Sequence, residues 1–126
     1  MAMTTRAAAH LQTTRLDIHE VAARMTAHLG PTLVAALSGT KDPKLPIRWA
    51  KAAGPRPGHD FERRLRLGHR LWTQIASAGD DHVARAWFIG GNPMLEELTP
   101  LTAIREDRDA QVMAAAEAFV HDSAGV

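Results

Sequence analysis

Apolar residues recur at three- and four-residue spacing along nearly the whole chain, and glycine and proline punctuation cuts that pattern into short segments. This combination calls for amphipathic helices. It leaves no place for a sheet, because no stretch alternates apolar and polar residues with the period of two that a half-buried strand requires. Ile18, Val21, Met25 and Leu29 form the first stripe, behind Asp17, which is placed to cap it. Gly30-Pro31 ends that helix, and Pro31 opens a second over about residues 32–37. Ser38-Gly39 stops the second helix. Asp42-Pro43 then reads as a cap followed by a first-turn proline, starting a third helix expected to reach about residue 53. Pro46 removes a backbone donor there and is expected to shorten or tilt it. Gly54-Pro55-Arg56-Pro57-Gly58 breaks the chain and is the best hinge candidate.

A long helix over residues 60–78 follows, with Phe61, Leu65, Gly68, Trp72 and Ile75 on one face and Leu71 beside it. Glycine costs helix propensity, so Gly68 on that face predicts the close approach of another helix. After the break at Gly79, Val83, Ala86 and Trp87 are expected to face inward on a helix ending at Gly90-Gly91. Asn92-Pro93 is a turn. Thr99 caps a short helix with Pro100 at its first position and Leu101 and Ile104 as contacts. A last helix from near Asp109 is expected to bury Val112, Met113, Ala116, Phe119 and Val120. Trp49, Trp72 and Trp87 are expected in the core, as large aromatics of small helical proteins usually are.

The fold class is therefore all-α, with seven helices, and 126 residues fit one domain or two very small helical units sharing a core. The expected division is a loose tail over 1–14, a helix-turn-helix unit over 15–58, a long connecting helix over 59–79 and a second helical unit over 80–126. The tail lacks the apolar stretch of a signal peptide. No apolar run approaches the roughly 18 residues of a membrane span, so no membrane partner is expected. The chain has no cysteine, which excludes disulfides and thiolate metal sites and is compatible with a cytoplasmic location.

Sites for chemistry are missing. None of the seven histidines has a histidine partner four residues on, so no metal is expected. Ser38, Ser77 and Ser123 sit in no nucleophile motif, and Gly90-Gly91 leads into a turn rather than a phosphate-binding helix. Glu96-Glu97 as an acid/base pair has no supporting group. Neither an enzyme nor a cofactor is expected.

Charge is distributed unevenly. Residues 41–70 hold nine basic side chains against Asp42, Asp60 and Glu62, a net +6. Residues 79–126 hold nine acidic side chains against Arg85, Arg105 and Arg108, a net −6. Such polarity points to two partners, one of them polyanionic, although two solvated helix faces would look the same. Residues 33–53 have the layout of a helix-turn-helix: two short helices, a glycine-containing turn, and a second helix beginning with polar and basic groups. Lys44, Arg48 and Lys51 are spaced to share one helical face. Arg48 is placed to read guanine, and the lysines to neutralise phosphates. Lys41 and Arg56 extend the same basic stretch. An ordinary charged helical hairpin is the plainer alternative.

Residues 83–120 carry an aromatic pair after alanine (Ala86-Trp87-Phe88), an Asn92-Pro93 turn, Leu95, a Thr99-Pro100-Leu101 helix start and a final amphipathic helix. In this order they resemble the toxin-binding domain of the Xre/MbcA/ParS antitoxins of RES-domain toxin–antitoxin modules. Asp42-Pro43-Lys44 with Arg48-Trp49 is similar to the recognition helix of the MbcA branch, so the resemblance spans about residues 17–120. It implies pairing with a RES-fold toxin that consumes NAD, occlusion of that toxin's cleft, and repression of the pair's own operon by operator binding, often as homo- and hetero-oligomers. The residues it marks for the toxin are Trp87, Asn92, Pro93, Leu95, Thr99 and Pro100; Phe119 on the last helix is expected to add an apolar anchor, unless it completes the chain's own core. An NAD cleft accommodates a pyrophosphate, so acidic Glu96, Glu97, Glu106, Asp107 and Asp109 would complement it and speed encounter. One departure stands out: Glu106-Asp107-Arg108-Asp109 occupies the stretch where the family places a glycine. The rival readings are a free-standing helix-turn-helix transcription regulator whose C-terminal unit dimerises, and an interaction adaptor with no DNA role.

Overall fold

Asp17 caps the first helix as its position predicts: its Oδ2 accepts the His19 N–H at 3.1 Å. The computed structural model describes residues 16–123, so the tail expected over 1–14 lies outside the described residues. Within them the chain is all-helical. In order it forms α1 (Ile18–Leu29), α2 (Pro31–Ser38), α3 (Leu45–Trp49), α4 (His59–Ala78), α5 (Asp81–Ile89), a 3-10 turn (Pro93–Leu95), α6 (Pro100–Arg105) and α7 (Asp109–Ser123).

The long helix α4 is the axis of the fold. It packs against α1, α2, α5, α6 and α7, and it buries Leu65, Leu67, Gly68, His69, Leu71, Trp72, Gln74 and Ile75. Burial thus extends beyond the expected stripe, because neighbours cover α4 on more than one side. Gly68 is a point of close approach: a Cβ there would lie 3.1 Å from Leu37 Cδ1 and 3.3 Å from Met25 Cε. A single apolar core runs from Ile18 on α1 through α4 to Ala116 on α7, so the N-terminal and C-terminal halves are packed together rather than strung on a linker. Full burial of each such side chain contributes roughly 1.5–3 kcal/mol.

Two expectations are corrected. The third helix is Leu45–Trp49 and does not run from residue 43 to 53. Pro46 stands in its first turn, where its missing N–H costs no helical hydrogen bond, whereas in a helix begun at residue 43 or earlier its ring would crowd the preceding turn. Asp42 still caps locally, accepting the Lys44 N–H at 2.9 Å, but it closes a turn rather than a helix. Beyond Trp49 the chain bends back on itself. A Cβ at Gly54 would stand 2.0 Å from the Arg48 carbonyl oxygen, so no side chain fits at that position.

The inward face of α5 also differs. Ala84 and Phe88 are fully buried, whereas Val83 and Ala86 are exposed and Trp87 is half-buried. Apolar residues surround this helix, so periodicity alone does not select a face. The packing selects Phe88, which meets Trp72 at 5.7 Å and holds Trp87 edge-on at 5.2 Å. On α7, Val112 and Ala116 are buried as expected, while Met113, Phe119 and Val120 remain partly open.

Candidate functional site

The turn after α5 is organised by Asn92. Its Oδ1 accepts the Met94 N–H at 2.9 Å, its carbonyl accepts the N–H groups of Leu95 and Glu97 at 2.9 Å, and its own N–H donates to the Leu98 carbonyl at 3.1 Å. Leu95, only 1% exposed, nails this loop into the core. Thr99 then caps α6 by accepting the Thr102 N–H at 3.0 Å, with Pro100 buried behind it. Leu95, Thr99 and Pro100 therefore build the site from beneath and offer little surface to a partner.

What they support is an open groove of about 250 Å³ between α5, the 3-10 turn and α7. Trp87, Asn92, Pro93 and Phe119, four of the expected contact residues, line it together. Met94 and Asp122 line it too, and sequence reasoning missed Met94. Met94 is 53% exposed; the available signal was a large apolar residue between a turn proline and a core leucine. Glu96 and Glu97 project into solvent from consecutive left-handed positions (φ 56° and 68°), and neither is ion-paired among the described residues.

Asp107 is placed differently. It too is left-handed, at φ 61°, the conformation that glycine adopts most readily, and it stands in the turn where the antitoxin resemblance expects a glycine. Its carboxylate is grasped by Arg64 (Nε–Oδ1 3.0 Å, Nη2–Oδ2 3.1 Å) and by Arg63, while Arg63 also reaches Asp109 at 3.0 Å. These hydrogen bonds hold the Asp107 carboxyl down at about 2, below its ordinary 3.8. Glu106 pairs with Arg108 at 3.2 Å. The basic middle and acidic end of the chain thus partly neutralise each other, which leaves Glu96, Glu97 and Asp122 as acidic groups at the groove open to an outside partner.

On the other half of the molecule, Lys41, Lys44, Arg48 and Lys51 are all exposed, and none forms an ion pair among the described residues. Arg56 does: it bonds Glu62 at 2.8 Å. Only Arg48 lies on α3, with Lys44 just before it and Lys51 just after, so the basic face is made by a short helix and its two flanking turns. Residues 39–44 separate α2 from α3, a longer connection than the tight turn of a standard helix-turn-helix. Trp49 fills the core, tilted against Phe61 at 5.5 Å, and its carbonyl accepts the His19 Nδ1–H at 2.9 Å. Both contacts fix the rotation of α3 and hence which side chains face out. No helix among the described residues is long and apolar enough to cross a membrane, and no cluster of three metal-ligating side chains occurs among them.

No known protein family, curated protein or solved structure matches this chain.

Proposed function

We propose that the chain is an antitoxin: it binds a RES-domain toxin that degrades NAD, occludes that toxin's cleft, and binds operator DNA through its basic face. It works as a binding protein, not an enzyme. The observation that carries the toxin half is the meeting of Trp87, Asn92 and Pro93 with Phe119, some 26 residues further along the chain, on one open groove with the exposed Met94 at its lip. Trp87, Asn92 and Pro93 are residues that the antitoxin resemblance marks, and Phe119 is the anchor expected on the last helix. Exposed apolar side chains around a concave surface suit a partner's anchor residue, and the free carboxylates of Glu96 and Glu97 suit a cleft that receives a pyrophosphate.

The test is co-purification with the product of the adjacent gene, followed by NAD consumption by that product with and without this chain. Stable association with suppressed NAD loss is expected. Lack of association and unchanged NAD loss would sink the reading. The unpaired Lys41, Lys44, Arg48 and Lys51 favour a second reading, a free-standing regulator, which would bind DNA and leave NAD loss untouched.

A further inference from the structure

Ile47 is 48% exposed although it lies on a helix whose neighbouring residues Pro46 and Trp49 are buried. It is not on a loose loop that happens to show an apolar residue: Trp49, packed on Phe61 and bonded through its carbonyl to His19, locks α3 in rotation and so keeps Ile47 outward. Its sequence neighbours on both sides are the exposed, unpaired cations Lys44, Arg48 and Lys51. The other large apolar side chains exposed among the described residues, Val83, Ile89 and Met94, all belong to α5 and the turn after it. Ile47 is thus a solitary apolar side chain on a cationic surface.

We infer that Ile47 is a base-reading contact that packs on the 5-methyl group of a thymine in the major groove while the flanking cations hold phosphates. This rests on the operator-binding half of the function proposed above and names a specificity determinant within it. The chemistry selects duplex DNA over the other polyanionic or apolar partners. A protein interface places a cluster of apolar or aromatic anchors at its centre, not one aliphatic side chain among cations. Interfacial membrane binding needs a broad apolar helical face, and α3 offers one exposed residue. A DNA duplex asks for this combination: cations for the backbone, which position without reading, and an apolar contact for the methyl group that thymine presents in the major groove.

The experiment uses the full chain and duplex DNA from the region immediately upstream of its own gene. Binding is read by fluorescence anisotropy, and the bound segment is located by footprinting. Each thymine in the footprint is then replaced in turn by deoxyuridine, which lacks only the methyl group. One position is expected to lose about four-fold in affinity with the wild-type chain, the worth of one buried methyl-sized group. The Ile47→Ala variant, at an exposed position and checked for unchanged helicity, should bind the thymine duplex correspondingly more weakly and be indifferent to deoxyuridine at that position. Ile47→Val should keep most of the discrimination. Equal binding by Ile47→Ala and wild type, or a deoxyuridine penalty of the same size in both, overturns the inference and leaves DNA binding standing. Failure of the wild-type chain to bind any upstream duplex removes the operator reading and the inference together, while toxin association is scored separately by co-purification. Ile47-dependent binding to vesicles of anionic phospholipid, without duplex binding, would reassign the face to a membrane surface.

Discussion

Arg64 binds Asp107 in a two-pronged ion pair, at 3.0 and 3.1 Å, while its remaining Nη1 donates to the Ser38 carbonyl at 2.8 Å. One guanidinium therefore joins the end of α2, the middle of the molecule on α4 and the turn between α6 and α7. The Arg64 side chain is 16% exposed, so its bonds are better sheltered than those of a surface pair, whereas Asp107 is 43% exposed and its share is screened by solvent. Replacing Arg64 by Ala leaves the Ser38 carbonyl and the Asp107 carboxylate short of a donor. It should lower stability by about 2 kcal/mol in urea denaturation. A loss below a few tenths of a kcal/mol would show that the clamp is structurally idle.

The same pair sets an acid response. Asp107 titrates near 2 in the folded chain and near 3.8 without its partners. Its depressed folded value means that the stabilisation is fully present above about pH 4 and is lost as pH falls towards about 2. Asp107→Asn tolerates the left-handed backbone but carries no charge, so it should be less stable than wild type at neutral pH by about 1 kcal/mol. The gap should close between pH 4 and 2. Parallel stability curves through that window would dissociate the carboxylate from the clamp.

His69, 2% exposed on α4, produces a second response nearer neutrality. Burial first, and then the nearby Arg24, push its pKa down from 6.5 to about 4. The unfolded chain takes up a proton there that the folded chain refuses, so stability falls as pH drops from about 6.5 to 4, by at most about 1.4 kcal/mol per pH unit. His28, stacked on Trp72 at 4.3 Å, is lowered in the same direction by its own burial. Denaturation midpoints at pH 7 and pH 5 should therefore differ clearly in the wild type and less in His69→Gln, with the residue of the effect belonging to His28. An unchanged pH dependence in His69→Gln would mean that this imidazole is free to protonate in the fold.

At Gly68 two forces oppose each other. An alanine gains about 1 kcal/mol of helix propensity over glycine, but its Cβ would press on Leu37 and Met25 at 3.1–3.3 Å. Gly68→Ala should accordingly change stability by less than about 1 kcal/mol, because the Met25 end can yield a few tenths of an ångström. Gly68→Val, with two further methyl groups and a branched Cβ, should cost about 2 kcal/mol or more. Thermal melts of the pair check this, and equal melting points would show that α1 and α2 do not constrain α4 here.

Gly68 also marks what can be read from the residues alone. A glycine on an apolar helical stripe has one economical explanation, close packing, and the Leu37 and Met25 contacts supply it. The caps Asp17 and Thr99 and the turn at Asn92 were legible for the same reason: each acts within two or three residues of itself. The inward face of α5 was not, since Val83, Ala84, Ala86, Trp87, Phe88 and Ile89 ring the helix and only the neighbouring Trp72 decides among them. Charge counting failed in a related way. The basic stretch around Arg63 and Arg64 and the acidic stretch around Asp107 and Asp109 look like two separate invitations to partners until the fold brings them together across more than forty residues of chain. Trp87 and Phe119, both among the expected contact residues, line the groove, whereas Met94 is exposed because Leu95 pulls the turn inward and leaves its neighbour outside.

Glu96 and Glu97 offer the sharpest separation of folding from binding. Two consecutive residues other than glycine in the left-handed region are strained, at roughly 1 kcal/mol or more each, and the Asn92 loop holds them there. Glycine would relieve that strain, partly offset by its greater freedom in the unfolded chain, so Glu96→Gly and Glu97→Gly should each raise stability by roughly 0.5–1 kcal/mol. Neither glutamate has an ion-pair partner among the described residues that would be forfeited. If these carboxylates steer the chain onto an electropositive cleft, the double variant should associate with the proposed toxin several-fold more slowly at low salt, and the difference should shrink as salt is raised. A chain that becomes more stable and a slower partner at once would mark this turn as held in strain for binding. More stability with unchanged association kinetics would remove Glu96 and Glu97 from the interface and leave the groove itself to carry recognition.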